Sequence, residues 1–246
     1  MSYKNVFHRF ELKYLITPEQ KKYVLDAISG RMCLDAYGKN TIRNVYYDTD
    51  TYALIRRSIE KPIYKEKLRI RSYQLADSDS MVFVELKKKY DKVVYKRRIS
   101  LPEAVATAWV GGDMPSPCDT QISREIDYFK TLYSGLRPSM FLSYEREAFY
   151  DLSGGDFRVT FDDNILCRTS EISVCKEPYG HSILPENRVL MEIKCPGAIP
   201  LWMVNILSQG KIYKTSFSKY GTAYTETVLA EQLKVKRIAK EIKINA

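Results

Sequence analysis

Lys67, Arg69 and Arg71 stand at every second position of one short stretch, and the next two stretches repeat the spacing with Glu85 and Lys87, then Lys96 and Arg98. Side chains two apart on a strand share a face, while the residues between them (Leu68, Ile70, Val84, Leu86) point the other way. One such strand is ordinary, because a half-buried sheet shows its charges to water. Here the pattern recurs in Arg9-Phe10-Glu11-Leu12-Lys13, Tyr144-Glu145-Arg146, Arg158-Val159-Thr160-Phe161-Asp162 and Glu192-Ile193-Lys194. The unit Glu-x-Lys with an apolar centre falls on three separate strands, at Glu11, Glu85 and Glu192. Recurrence of one cationic face implies that the faces converge, as they do when a sheet closes into a barrel and turns alternate residues inward.

Converging cations suit a linear oligophosphate, which carries close to one negative charge per phosphate and needs donors along its length. Arg69 and Arg71 would lie ~7 Å apart on one strand face, at about 3.3 Å rise per residue. Each guanidinium can clamp a phosphate with two hydrogen bonds, whereas lysine acts as a point charge. Lys13, Arg69, Arg71, Lys87, Lys96, Arg98 and Arg146 would ring such a chain. The acids Glu11, Glu85 and Glu192 admit two roles. They neutralise a lumen that would otherwise repel itself, or they hold Mg²⁺ or Mn²⁺, which bind through one or two carboxylates plus substrate phosphates. Glu192 is the leading metal candidate and Glu85 the second.

Other chemistries find less support. Most of the 19 tyrosines sit at apolar-face positions such as Tyr14, Tyr47 and Tyr95, so the stacking platforms of a nucleic-acid binder are not indicated. Tyr46 and Tyr144 do fall on the charged face. Gly111-Gly112 and Gly154-Gly155 lack the spacing of a phosphate-cradling loop. His8 and His181 are the only histidines, a thin basis for imidazole chemistry.

The elements that must position these residues follow from periodicity and punctuation. Strands are expected at 6–16, 42–48, 62–73, 81–89, 93–101, 137–151, 157–165 and 188–195. Helices are expected at 18–29, 49–59, 102–111, 120–136 and 199–207, with a basic amphipathic helix over about 222–240. Thr17-Pro18-Glu19 opens the first of these helices with a cap, a proline and an acid. No βαβ unit repeats, so the fold class is α+β: a mainly antiparallel sheet of about eight strands closed into a barrel, with peripheral helices, in one domain over 1–246. The last helix, with Val228, Leu229, Leu233 and Ile238 on one side, is expected to dock on its own domain.

Bulk properties agree. Lys and Arg outnumber Asp and Glu by 39 to 30, a formal net charge of +9, which points to an anionic partner. Five cysteines (Cys33, Cys118, Cys167, Cys175, Cys195) show no Cys-x-x-Cys spacing, so a reducing compartment is expected. The first residues have no signal-like apolar region and no apolar run approaches a membrane span. A soluble, cytoplasmic protein is the expectation.

Taken in order, Phe10-Glu11-Leu12-Lys13-Tyr14, Val45-Tyr46-Tyr47-Asp48, Leu68-Arg69-Ile70-Arg71, Glu85-Leu86-Lys87, Lys96-Arg97-Arg98, Tyr144-Glu145-Arg146, Leu190-Met191-Glu192-Ile193-Lys194 and Ser218-Lys219-Tyr220-Gly221 resemble the triphosphate tunnel superfamily, which includes the CYTH proteins. Within it the sequence is most similar to the polyphosphate polymerase domain of the vacuolar transporter chaperone (VTC), in its bacterial stand-alone form. The resemblance implies that Lys13, Arg69, Arg71, Lys87, Lys96, Arg98, Arg146 and Lys219 act on phosphates, with Tyr144 and Ser218 assisting and Glu192 on the metal. Glu11, Arg158 and Lys194 complete the expected substrate contacts. One departure is visible: Arg9-x-Glu11-x-Lys13 stands where the hydrolytic branch usually has Glu-x-Glu-x-Lys. That favours polyphosphate synthesis from ATP with release of ADP; an inorganic or nucleoside triphosphatase and a non-catalytic polyphosphate binder remain alternatives. Expected partners are ATP, polyphosphate or other linear phosphates, not nucleic acid, and a membrane protein partner is admissible.

Overall fold

The computed structural model describes the backbone of residues 10–91 and 93–244, and side chains as far as residue 239. Arg9, which departs from the usual first-strand pattern, and Lys92, between the strands expected at 81–89 and 93–101, lie outside the described residues. The strands are β1 (Phe10–Ile16), β2 (Met32–Asp48), β3 (Tyr64–Ser72), β4 (Met81–Tyr90), β5 (Val93–Pro102), β6 (Arg137–Asp151), β7 (Arg158–Arg168), β8 (His181–Ser182) and β9 (Val189–Cys195). The helices are α1 (Pro18–Ile28), α2 (Ala53–Ile59), α3 (Glu103–Gly111), α4 (Gln121–Leu132), α5 (Leu201–Gln209), α6 (Lys219–Tyr224) and α7 (Ala230–Ile244). One antiparallel sheet runs β1-β9-β7-β6-β2-β3-β4-β5, with β8 beside β7.

The expected closed barrel is therefore corrected to an open, curled sheet. Its path ends at β1 and β5, and no ladder joins those two strands among the described residues. The outer edge of β1 is already engaged, because Thr215 pairs with Lys13 and its N–H donates to the Lys13 carbonyl at 2.7 Å. What crosses the gap is a side-chain contact: Lys87 Nζ of β4 reaches Glu11 Oε2 of β1 at 3.3 Å.

Alternation decides what covers each face. The apolar rows of β2, β3 and β4 (Val45, Tyr47, Leu68, Ile70, Val84, Leu86) pack outward against Trp109 of α3 and Ile126 and Phe129 of α4. Those of β1, β7 and β9 (Tyr14, Val159, Phe161, Met191, Ile193) pack outward against Val24 and Ile28 of α1 and Met203 and Ile206 of α5. Each such side chain, fully buried, stabilises the fold by roughly 1.5–3 kcal/mol. These four helices thus occupy the convex face and leave the charged rows on the concave one. Part of the concave face is itself apolar, where Tyr46, Leu142 and Leu190 meet Phe217, and Tyr220 and Tyr224 of α6.

Local chemistry sets the helix starts. At α1 the Thr17 hydroxyl accepts from Gln20 N–H at 3.2 Å, and the Gln20 amide oxygen accepts from Thr17 N–H at 3.0 Å, a reciprocal cap. The C-terminal helix departs from expectation. A π-helical turn at Thr225–Leu229 follows α6, with the Thr225 and Thr227 hydroxyls bonding back to the carbonyls of Gly221 and Ala223. A π-turn shifts the phase of the helix after it. Val228 and Leu229 pack on the domain, but Leu233, Val235 and Ile238 are 57%, 60% and 56% exposed. Docking stops near Leu229.

Asp48 ties the concave-side helices to the sheet. Its carboxylate accepts from the N–H groups of Thr49 and Leu54 at 2.9 Å and of Ile55 at 3.0 Å, and from the Tyr220 hydroxyl at 2.9 Å. Asp48→Ala strands these donors, most of them buried, and is expected to cost about 3 kcal/mol, from about 1–3 kcal/mol per unsatisfied buried group. Urea unfolding measures it; a loss below about 1 kcal/mol, the net worth of one ordinary hydrogen bond, removes Asp48 from this role.

Candidate functional site

Two buried carboxylates organise the concave face. Glu85, at the centre of β4, is 1% exposed and its strand neighbours in register are Arg69 and Arg98. Its Oε2 lies 2.8 Å from Arg69 Nη2 and 3.7 Å from Arg71 Nε, and its Oε1 lies 2.6 Å from Lys96 Nζ and 2.8 Å from Arg98 Nη2. Burial alone would push this carboxyl up, but Arg71, Arg69, Lys96 and Arg98 hold it well below the usual carboxylate range.

Glu192 repeats the arrangement on β9, 4% exposed and in register with Lys13. Its Oε1 lies 3.0 Å from Lys219 Nζ and 3.4 Å from Lys13 Nζ; its Oε2 lies 3.3 Å from Arg146 Nη2 and 3.4 Å from Lys194 Nζ. Asp162 of β7, fully buried, shares two of these partners, accepting from Arg146 Nε at 2.6 Å and meeting Lys219 Nζ at 2.5 Å. Burial opposes both acids, yet the surrounding cations keep Glu192 well below, and Asp162 below, the ordinary values. Lys219 loses basicity to burial and regains more than it loses from Asp162 and Glu192.

Tyr144 stands between the two clusters. Its hydroxyl accepts from Arg71 Nη2 at 3.3 Å, while the Arg146 guanidinium and Lys219 ammonium lie 5.0 Å and 4.7 Å from its ring centre. Burial raises the phenol, but Arg71, Arg146 and Lys219 outweigh it and leave Tyr144 more acidic than a free tyrosine. The Lys87–Glu11 contact is the second link, and Lys87 is the leading cause of a strongly acidic Glu11.

Further along β3, Lys67 Nζ donates to Ser218 Oγ at 3.3 Å, at the start of α6. Burial, then the neighbouring Lys87, Lys13, Lys65 and Arg69, lower Lys67 from 10.5 to about 7. Lys96 also falls to about 7, because burial and the nearby arginines Arg71, Arg98 and Arg69 outweigh Glu85. The short Lys96–Glu85 contact and this lowered proton affinity pull in opposite directions; Lys96 is a weaker base than a free lysine.

The concave face thus brings together Glu11, Lys13, Arg69, Arg71, Glu85, Lys87, Lys96, Arg98, Tyr144, Arg146, Glu192, Lys194 and Lys219. Ser218 is exposed beside Lys67. Arg158 is exposed in register with Lys194, at the margin of the network. Several contributors were not singled out from sequence. Asp162 lies two residues beyond Thr160 on the charged row of β7, so the alternation already pointed to it. Asn44, whose Oδ1 accepts from Arg71 Nε at 3.0 Å, is uncharged and carried no such signal, whereas Tyr46, whose hydroxyl accepts from Arg69 Nη1 at 2.9 Å, lies on the charged face as its position in the alternation indicated. Thr160 is 4% exposed, pairs with Glu192 in register, and its hydroxyl has no hydrogen-bond partner.

The donor chemistry can be weighed against Mg²⁺ or Mn²⁺. Among the described residues no three His, Cys, Asp or Glu side chains form a ready coordination group. Hard, oxygen-preferring ions need only one or two carboxylates when phosphates and water supply the rest. Glu192 fits that requirement, with Glu11 reached through the shared Lys13 at 3.4 Å from each and the orphan Thr160 hydroxyl alongside. Glu85 fits less well: each glutamate serves four cations, but Glu192 shares Lys13 with a second carboxylate, Glu11, whereas the ion pairs described for Arg69, Arg71, Lys96 and Arg98 are to Glu85 alone.

The sequence pattern of the VTC domain matches residues 8–228. Among solved structures, a provisionally described adenylate cyclase from Bacillus halodurans superposes with a TM-score of 0.55 at 16% identity, covering 87% of this chain and 95% of its own. A provisionally described adenylyl cyclase from Hippeastrum, reported to have a dominant triphosphatase activity, gives 0.53 at 15% identity, covering 89% and 96%. At these identities the likeness is one of fold. No curated protein sequence matches the chain.

Lys67 supplies a pH test. A bound phosphate raises its proton affinity above the value of about 7 in the free protein, so the complex carries more protons than its parts just above that pH. Binding of tripolyphosphate is therefore expected to take up protons at pH 8 and to weaken from pH 7 to 9. Lys67→Ala should reduce both effects. Calorimetry in buffers of differing ionisation enthalpy measures the uptake; proton release, or no exchange, contradicts the assignment.

Proposed function

The chain belongs to the VTC-domain family, and from that membership and its concave face we propose that it binds linear triphosphates and cleaves their terminal phosphoanhydride bond, passing the phosphoryl group to water. The observation that carries this reading is the pair of cation clusters, one around Glu85 and one around Glu192 with Asp162, joined through Tyr144. Phosphoryl transfer asks a protein mainly for alignment and charge neutralisation, so no protein nucleophile is required. Arg69, Arg71, Lys96 and Arg98 hold the inner phosphates, and Lys13, Arg146, Lys194 and Lys219 surround the terminal one. Lys87 and Lys67, with Ser218, contact the flank. Because buried carboxylates already orient these groups, little reorganisation remains when charge shifts in the transition state. A divalent Mg²⁺ or Mn²⁺ at Glu192, with Glu11 and Thr160 nearby, would supply further neutralisation of the terminal phosphates. The triphosphatase description of the Hippeastrum protein of like fold supports water as the acceptor.

A second reading is favoured by the family match itself, which covers residues 8–228: transfer of the ATP γ-phosphoryl to phosphate or a growing polyphosphate, with ADP released. Both readings use the same alignment and differ in the acceptor. Incubation of the protein with labelled ATP or tripolyphosphate and Mn²⁺, with products resolved by length, separates them. Phosphate with ADP from ATP, or with pyrophosphate from tripolyphosphate, is the expected product; long chains assign synthesis instead, and unchanged substrate overturns catalysis in favour of binding.

Two substitutions divide charge from chemistry. Glu192→Gln is expected to abolish turnover while leaving tripolyphosphate binding intact or tighter, since Asp162 still holds Arg146 and Lys219. Full activity in this variant would make Glu192 a counter-charge only. Arg69→Ala is expected to weaken tripolyphosphate binding by about 1.5–3 kcal/mol, the scale of a charged hydrogen bond.

A further inference from the structure

The cationic face has an aromatic margin that phosphates alone leave unused. Tyr73 follows Arg71 just past the end of β3, and its ring meets Phe83 of β4 edge-on, with centres 5.6 Å apart and planes at 80°. Its hydroxyl accepts from Arg98 Nη2 at 2.8 Å. The Arg98 guanidinium lies 4.2 Å from the Phe83 ring centre, and those of Arg71 and Arg98 each lie 5.9 Å from that of Tyr73. Arginines hold other tyrosines on this face too, but Tyr46 and Tyr144 are only 6% and 2% exposed, whereas Tyr73 is 37% exposed. Tyr46 is stacked on Tyr220 with centres 4.5 Å apart, so its ring is occupied.

An accessible ring flanked by guanidinium groups is the surface on which nucleobases stack. Inorganic triphosphate has nothing to place there. A nucleoside triphosphate has a flat base, joined by its sugar to the phosphate that Arg71 and Arg98 would take first. The Arg98 hydrogen bond fixes the ring beside that phosphate site, so base and phosphates are received by one preorganised set of side chains.

We propose that Tyr73, backed by Phe83 and Arg98, is a stacking platform for the base of a nucleoside triphosphate whose phosphates run from Arg71 and Arg98 toward Lys13 and Lys219. This rests on the phosphate-binding reading above and adds the side chain that would separate nucleoside triphosphates from inorganic ones. Stacking reads ring area rather than a hydrogen-bond pattern, so purines are favoured over pyrimidines without a strict choice of base.

Equilibrium binding of ATP and of inorganic tripolyphosphate to the full chain, without divalent metal so that nothing turns over, tests it. Tyr73→Ala is expected to weaken ATP about tenfold or more, on the scale of one base–aromatic stack, and tripolyphosphate by less than about twofold. Tyr73→Phe keeps the ring without the hydroxyl and should hold ATP within about threefold of the wild type. Retained tripolyphosphate binding shows that each variant is folded. Equal weakening of both ligands by Tyr73→Ala would assign Tyr73 to holding Arg98, and unchanged ATP binding would leave the ring without a ligand; either result overturns the platform. A wild-type protein that binds neither ligand overturns the phosphate-binding reading, and the platform with it.

Discussion

A buried carboxylate that must serve several cations at once is the constraint on which this structure turns. Two like unit charges 4 Å apart repel by about 4 kcal/mol at the effective dielectric near a protein surface. Arg69, Arg71, Lys96 and Arg98 could not gather on one sheet face without Glu85 between them, nor Lys13, Arg146, Lys194 and Lys219 without Glu192 and Asp162. Removing one member of a buried ion cluster typically costs 3–5 kcal/mol, because the remaining charges stay desolvated without compensation. The basic side chains outnumber the acids, so the face is held together yet remains an anion receptor.

The rest of the fold serves this face. Apolar rows on the convex side carry α1, α3, α4 and α5, which pack there and leave the charged side uncovered by them. On the concave side Ile55 of α2 and Tyr220 and Tyr224 of α6 fill the apolar part, where Asp48 binds both the start of α2 and Tyr220. That packing brings Ser218 and Lys219 into the network from a part of the chain far from the strands they meet. The curl needs no closing ladder: Thr215 occupies the edge of β1, and the Lys87–Glu11 pair spans the gap with side chains alone.

Much of this was legible in the sequence, because period-two alternation assigns faces directly. The strand cores, the shared face of Glu11, Lys13, Arg69, Arg71, Glu85, Lys87, Lys96, Arg98, Arg146 and Glu192, and the cap at Thr17 all follow from local spacing. Closure did not follow, because alternation states which side a residue faces and not which edges meet; Thr215 decided that, from a segment with no strand pattern. The first half of β2 was missed because Asp35, Gly38, Lys39 and Asn40 break the alternation, although residues 32–34 and 39–41 pair with β6. β8 spans two residues, too few for any periodic signal. A neutral partner such as Asn44 was invisible to a search for charge. The last helix was expected to dock on its own domain; the π-turn at Thr225–Leu229, beyond which Leu233, Val235 and Ile238 are exposed, has no simple sequence mark.

A crystal structure of the full chain with tripolyphosphate tests the central claim most directly. The phosphates are expected on the concave face, between Arg71 and Arg98 at one end and Lys13 and Lys219 at the other, with Glu85 and Glu192 still holding their cations. Tripolyphosphate bound instead among the convex basic residues, such as Lys21 and Lys39, with the concave network intact and empty of phosphate, would contradict it.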